Sequence, residues 1–436
     1  MKENKENVSG ILRLIIYGII LGLIVGIVLS AYRLLVTFFS AQAKTLYQFG
    51  RQSLGNGLIV LLLSAVLGGI VGLLTQSDPK IGGSGIPQVT GQLTDRMRVS
   101  WQSLLPKKFL GGLIGLSMGL TLGREGPSVQ MGAGMGQALA EISKQKEADR
   151  KLLITAGAAA GLSAAFQAPI AGVSFILEEL HACFHKSLLF PSMAASLFAA
   201  YCGAWIVGNK PVVDLGHLPS LPLSSYALFA LLGVLIGILA PIFTKGIYYF
   251  KQGYQRLPGP ISWKVILPFL LTGIMILWDP NLFGSGQEMM LFPVGENPGM
   301  GSLAFFYGAK LLLLLVAFSS GMPGGIFLPM LVLGSLTGNI FGQVLVHIGL
   351  ISSDEVILFA ALAMGANFAA IVRSPITSIF LAIELTGSFL YLLPIGLVVF
   401  FAYCVVELLH LEPVYEMLLR LQLKQQGAKQ DSERRS

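Results

Sequence analysis

The chain has 436 residues, of which 54% are hydrophobic and only 12% charged, with a formal net charge of +7. A soluble domain carries about 25% charged residues, so this composition, with a mean hydropathy of +0.74, excludes an ordinary soluble globule. The positive balance does not point to nucleic acid either. No basic cluster is interleaved with aromatics, and Lys and Arg sit mostly in loops and tails, the pattern of positive-inside membrane topology.

Residues 1–10 read as a polar cytoplasmic segment, followed by the apolar run Ile11–Ala31. That run is too long for a secretory h-region and has no small-residue cleavage site, so it reads as a retained first helix. Its spacing Gly18-x3-Gly22-x3-Gly26 is a helix-contact face. Further apolar runs follow at Gly57–Gln76, Phe109–Leu122, Leu188–Val207, Tyr226–Phe250, Val265–Trp278, Leu303–Ser319 and Tyr391–Leu411. At about 20 apolar residues per crossing, roughly ten or more embedded helices are expected. Helices are the default because lipid cannot satisfy backbone polar groups, and the runs do not alternate with the period of barrel strands. The three cysteines, Cys183, Cys202 and Cys404, show no metal-ligand spacing and read as reduced packing residues. The polar tail over 421–436 is expected to be disordered, with no soluble domain beyond it.

The landmarks recur in order. Gly83-Ser84-Gly85 returns as Gly284-Ser285-Gly286. Gly123, Pro127, Gly132 and Gly136 return as Gly325, Pro329, Gly334 and Gly338, and Ala164, Pro169 and Glu178 as Ala370, Pro375 and Glu384. Residues 11–208 and 224–420 therefore read as two membrane repeats joined by a linker over 209–223. Their loop charges are opposite. Between Pro87 and Lys108 the first half carries Arg96, Arg98, Lys107 and Lys108, whereas Gln287–Gly308 has Glu288 and Glu296 with no Lys or Arg. Lys144, Lys146, Arg150 and Lys151 face Asp354 and Glu355 in the same way. Equivalent loops on opposite sides of the bilayer make an inverted repeat, the plan of many transporters with a site where the repeats meet.

Three apolar stretches are broken by glycine-rich turns ending in proline: Gly83–Pro87, Gly123–Pro127 and Gly324–Pro329. Proline suits the first helical turn and glycine lets backbone approach a ligand, so these are candidate helix N-termini inside the membrane. Such a terminus carries about half a positive charge and free N–H groups, which suits an anion. One terminus supplies about 0.3–1 kcal/mol, or ~2 kcal/mol when partly buried. Desolvating an ion costs several kcal/mol, so several termini must converge. The alternative is that these breaks are packing kinks.

Gly83–Pro87 (GSGIP), Gly123–Pro127 (GREGP) and Gly325–Pro329 (GIFLP) resemble, in order, the three signature loops of the CLC chloride channel and transporter family. Phe166–Leu180 and Glu412–Tyr415 fit family segments too, and the resemblance spans about residues 10–420. It implies an all-α polytopic membrane protein of two inverted repeats of interrupted, tilted helices. It further implies a homodimer in which each subunit has its own ion pathway. By the same resemblance, Ser84 and Tyr415 supply hydroxyl groups to a central chloride. Ile326 and Phe327 supply backbone N–H groups, and Glu125 is the gating glutamate. Glu179 is the inner proton-transfer acid of exchangers, which channel members usually lack. Ser84 goes with chloride preference, and the intact first two loops depart from the fluoride-exporting pattern. The regulatory CBS pair common in eukaryotic members is absent, which favours a prokaryotic-type transporter.

The residues themselves leave alternatives open. A carboxylate at Glu125 can borrow an anion site and compete with chloride for the same N–H groups; equally, an acid in a first helical turn complements the dipole. Glu178 and Glu179 follow an apolar run, where an ionisable group costs at least ~2.5 kcal/mol and function is the default. Adjacent helical residues point about 100° apart, so the two cannot face one pore. Glu178 has the repeat counterpart Glu384, a structural sign, whereas Glu179 stands opposite Leu385. Arg124 and Arg373 read as structural neutralisers, and His181 with His185 as an incomplete metal pair. No nucleophile–base arrangement or Walker-type loop points to an enzyme or an ATP-driven pump, and no metal or cofactor is implied. The expectation is a multi-pass cell-membrane protein with both termini cytoplasmic, exchanging chloride for protons. The alternatives are a passive chloride channel and a fluoride/proton antiporter.

Overall fold

The computed structural model describes all residues except 1, 182, 210–212, 214, 216–217, 220, 296 and 436, and side chains are described from residue 10 to 425. The first half comprises α1 (Lys2–Gly50), α2 (Leu54–Ser77), α3 (Ile86–Leu93), α4 (Trp101–Ser117), α5 (Glu125–Ile142), α6 (Glu147–Phe166), α7 (Pro169–Phe175) and α8 (Lys186–Val207). The second comprises α9 (Tyr226–Arg256), α10 (Ile261–Trp278), α11 (Met300–Ser319), α12 (Phe327–His347), α13 (Val356–Val372), α14 (Pro375–Thr386) and α15 (Leu392–Leu408). A final helix, α16 (Val414–Arg435), has no mate in the first half. The mate of α3 is the short 3-10 segment Gln287–Leu291. Nine helical segments among the described residues are long and apolar enough to cross a bilayer. Others, such as α3 and α7, are half-spans set by the glycine and proline breaks.

The two halves repeat each other down to single dihedral angles. Gly83 and Gly284 have φ of 67° and 68°, and Gly85 and Gly286 have 93° and 91°. A side chain would be strained at all four. Gln167 and Arg373 are both left-handed at the ends of α6 and α13, each two residues before the proline that opens the next helix. The recurring glycines mark close crossings. A Cβ on Gly132 or Gly136 would meet Gly157 O or Leu153 O of α6 at 2.1 Å. A Cβ on Gly334 or Gly338 would meet Ala363 O or Phe359 O of α13 at 2.5 or 2.2 Å. The Gly18, Gly22, Gly26 face packs α1 directly on the backbone of Pro191, Ala195 and Ala199 in α8.

The halves meet about a local two-fold. Gly123 and Gly325 exchange both backbone hydrogen bonds, each 2.7 Å, in an antiparallel bridge. Further out, Glu384 accepts from the N–H groups of Ile170 and Ala171 (3.0 and 2.8 Å) at the start of α7. Glu178 accepts from Ile376 and Thr377 (3.0 and 2.8 Å) at the start of α14. Each repeat thus caps a helix of the other. The lipid face is visible as exposed apolar side chains at helical spacing, such as Leu12, Ile16, Ile20, Ile24 and Ile27 on α1.

Several sequence expectations change. The first helix does not stop at Ala31; it runs on to Gly50, because no glycine or proline interrupts residues 32–49. The tail from 421, expected to be disordered, continues α16 to Arg435, since its Gln, Lys, Ala, Glu and Arg are helix formers. Lys107 and Lys108 lie in α4 rather than in a loop, and Lys108 is fully buried. The loop charge excess of the first half therefore rests on the remaining residues, two of which pair: Arg150 with Glu147 and Lys151 with Asp95. On the acidic side Glu355 caps its own turn through Ser352 N (2.6 Å), while Glu296 lies outside the described residues. The linker is only partly described; there Val213 N donates to Leu385 O (3.2 Å) and Leu218 O accepts from the Tyr391 hydroxyl. Cys202 is buried, but Cys183 is exposed in the turn before α8.

Candidate anion-binding site

The three signature loops form one knot of backbone. Gly83 N donates to Met322 O (3.0 Å) and Gly324 N to Gly83 O (3.1 Å), which ties the first loop to the third. The Gly123–Gly325 exchange ties the second to the third. Gly126 closes the triangle: a Cβ there would lie 2.8 Å from Ser84 Cβ and Ser84 O. Only glycine lets the first turn of α5 rest on the Ser84 loop. Ser84 is buried and its hydroxyl oxygen accepts from Ile86 N (3.3 Å), leaving the O–H proton for another acceptor.

α5 starts at Glu125 and α12 at Phe327, with Ile326 as its buried N-cap. The Glu125 carboxyl folds back across the junction. A Cβ on Gly123 would strike its Oε2 at 2.1 Å and crowd the Leu328 amide nitrogen at 3.3 Å. Glu125 is fully buried, and neither carboxyl oxygen has a hydrogen bond of full geometry, although the N–H groups of Glu125 and Leu328 face it. An acidic group is thus parked where the positive ends of two helices converge.

An aromatic wall adjoins the loops. The Phe327 ring lies 4.2 Å from Phe368, 5.2 Å from Phe166 and 5.9 Å from Phe175, and Phe175 lies 6.4 Å from Tyr415. Tyr415 is buried on the first turn of α16, which packs on α3, and its hydroxyl has no partner. The fold therefore brings Ser84, Glu125, Ile326, Phe327 and Tyr415 to one buried place. Its polar groups are N–H and O–H donors around one carboxyl, a set that suits an anion.

Glu179 stands apart from that cluster. It sits on the π-helical turn Ile176–Leu180, where its Oε2 accepts from Ser374 Oγ (3.1 Å). Glu178 is turned away and spent on capping α14, so the structural sign read from its repeat mate is correct.

The sequence reading missed two residues that build the loops. Lys108 Nζ donates to Ile81 O and Gly83 O, both at 2.7 Å. Lys310 Nζ donates to Leu282 O (2.8 Å) and Gly284 O (2.7 Å). Both lysines are buried, and they occupy equivalent places on α4 and α11. The repeat comparison contained the signal, but the acidic stretch taken as Gln287–Gly308 stops just short of Lys310. Arg373 is structural as expected: it pairs with Glu407 (2.5 Å) and stacks on Tyr403 (5.0 Å). Arg124 differs in having no ion pair among the described residues; a buried, unpartnered Nε is common to both arginines. The histidines do not make a metal pair. His181 meets Thr155 Oγ1 (2.9 Å) and His185 caps α8 through Ser187 N (3.3 Å). No group of three metal-ligating side chains occurs among the described residues.

Residues 67–407 match the sequence profile described as voltage gated chloride channel. The chain belongs to this family, the CLC family. Among its CLC relatives is the H(+)/Cl(-) exchange transporter ClcA of Salmonella agona, 35% identical over 384 residues, which are 85% of this chain and 80% of the relative. The protein of the same name from Cronobacter sakazakii is 36% identical over 391 residues, covering 87% and 82%. A crystal structure described as a slow cyanobacterial Cl-/H+ antiporter superposes with a TM-score of 0.90 at 31% identity, covering 95% of this chain and 99% of that one. That similarity agrees with the all-α architecture of inverted, interrupted helices.

Proposed function

We propose that this CLC protein exchanges chloride for protons across the cell membrane. The observation that carries the reading is the buried, unpaired Glu125 carboxyl at the converging N-termini of α5 and α12. In this reading, chloride binds among Ser84 Oγ, the Ile326 and Phe327 N–H groups and the Tyr415 hydroxyl. Glu125 competes with it by charge mimicry, since –COO⁻ and Cl⁻ seek the same donors. Protonation removes that competitor, and the displaced glutamic acid carries the proton outward. Glu179, hydrogen-bonded to Ser374, takes the proton on the inner side. The names of the relatives and of the crystal-structure neighbour support exchange over passive flow, and so does the presence of an acid at 179.

The loop charges support a topology with both termini on the cytoplasmic side. The family resemblance supports a homodimer with one pathway per subunit. The test is reconstitution in liposomes with simultaneous chloride and proton recording. A chloride gradient is expected to drive protons uphill. Chloride flux with no proton movement would replace this reading with a channel, and strong preference for fluoride would overturn the role given to Ser84.

A further inference from the structure

A cleft of about 440 Å³ lies where α16 begins, between α9 and the segment that joins α15 to α16. α9 lines it with Thr244, Lys245, Tyr248 and Tyr249, and the facing wall is formed by residues 409–412 and Arg420. Both walls leave lipid at this level. α9 carries no charge over residues 226–244, about the 20 residues that cross a hydrocarbon core, and Lys245 is its first charged residue. The apolar span of α15 ends at Leu408, one residue before the cleft. The exposed stripe of Leu231, Ile238 and Ile242 on α9 leads to the exposed Tyr249, and Leu408 and Leu409 are exposed beside it. Tyrosines next to the last apolar turn mark the headgroup layer of a bilayer.

The lining favours an anion. Glu412, its one carboxylate, pairs with Arg420 at 2.5 Å. That leaves Lys245, which has no ion pair or hydrogen bond among the described residues, as an uncancelled cation. Arg420 keeps donors to spare, since a guanidinium has five and one nitrogen serves Glu412. Beneath them Thr244 is 3% exposed, and its hydroxyl has no partner. Thr75 and Thr337, by contrast, donate to the carbonyl one helical turn back. A buried donor left unpaired is costly, so this hydroxyl calls for an acceptor. Basic pockets between helices at the bilayer edge take the head groups of anionic lipids.

We propose that this cleft binds the phosphate of an anionic phospholipid. Lys245 and Arg420 hold its oxygens, the Thr244 hydroxyl donates from below, and the acyl chains run along Ile242 and Leu409. A head group so placed joins α9 to α16, the helix whose first turn carries Tyr415. The cytoplasmic leaflet follows from the loop charges; the site itself depends neither on that topology nor on which ions the protein moves.

The probe is phosphatidylglycerol added to the purified full chain in a neutral detergent, with phosphatidylcholine and inorganic phosphate in parallel. Phosphatidylglycerol alone is expected to raise the unfolding temperature and to stay bound in native mass spectrometry. Lys245→Ala should unfold at the wild-type temperature without lipid, because an exposed side chain with no partner carries little stability. Its half-saturating phosphatidylglycerol concentration should nevertheless rise about tenfold, and Lys245→Arg should keep the wild-type value. Equal half-saturation in Lys245→Ala and wild type overturns the site. An equal response to phosphatidylcholine overturns it as well, since that marks general solvation by lipid. An equal response to inorganic phosphate overturns the lipid assignment in favour of a free anion.

Discussion

The first turns of α5 and α12 occupy equivalent places in the two repeats, yet one begins with Glu125 and the other with Phe327. The same contrast holds further along, where Glu179 stands opposite Leu385. Around them the repeats agree: Lys108 with Lys310, Glu178 with Glu384, Gly123 with Gly325. The matched residues hold the frame and the unmatched ones are left for chemistry. A matched polar residue spends its hydrogen bonds on backbone of its own repeat or of the other. The carboxyls of Glu125 and Glu179, by contrast, face the interior with no partner or with a single serine hydroxyl. The division can be broken by substitution: mated residues should change stability, and unmated ones should change coupling.

The largest loss of stability is expected at the lysines. Lys108→Met leaves Ile81 O without a donor and Gly83 O with only Gly324 N, and an orphaned buried group costs about 1–3 kcal/mol. Lys108→Met should cost up to about 3 kcal/mol, and Lys310→Met at least as much through Leu282 O and Gly284 O. Thermal unfolding of the purified protein measures both. A large loss at one site with none at the other would mean that the shared geometry does not carry shared energy.

Next come the crossed caps. Glu178→Gln and Glu384→Gln each remove one acceptor oxygen from the start of a helix in the other repeat, at about 2 kcal/mol by the same reasoning. Because the carboxylates clamp α7 and α14 reciprocally, their energies should couple. The double variant is expected to depart from additivity by at least ~0.5 kcal/mol, the scale for residues in one network. Strict additivity would show that the two caps act independently.

How far these features could be read from sequence follows the same division. Gly85, Gly123 and Gly126 were legible because a left-handed turn or a backbone crossing leaves no other choice of residue, so the constraint is written in residue type. Glu178 was legible as structural through its mate. Lys108 was misread as a loop charge because a buried lysine and an exposed one look alike until the carbonyls around it are located. The length of α1 and the helical tail were missed because apolar runs delimit what lies in lipid, whereas helices end where a breaker falls.

The smallest change in stability is expected at Glu179→Gln, and it is the sharpest test of the contrast. The amide keeps the volume of the side chain and an oxygen to accept from Ser374 Oγ. Glu179 also caps no helix and touches no loop carbonyl. Unfolding should therefore shift by no more than ~0.5 kcal/mol, the range of changes that disturb no packing or network. Proton transport should nevertheless be lost while chloride flux continues, because an amide cannot take up and release a proton in this range. Its neighbour Glu178→Gln should do the reverse, losing stability and keeping the proton-to-chloride ratio. Parallel unfolding and flux measurements on this adjacent pair set one residue with a repeat mate against one without. If both variants lose stability and both keep proton coupling, the assignment of chemistry to the unmatched residue fails.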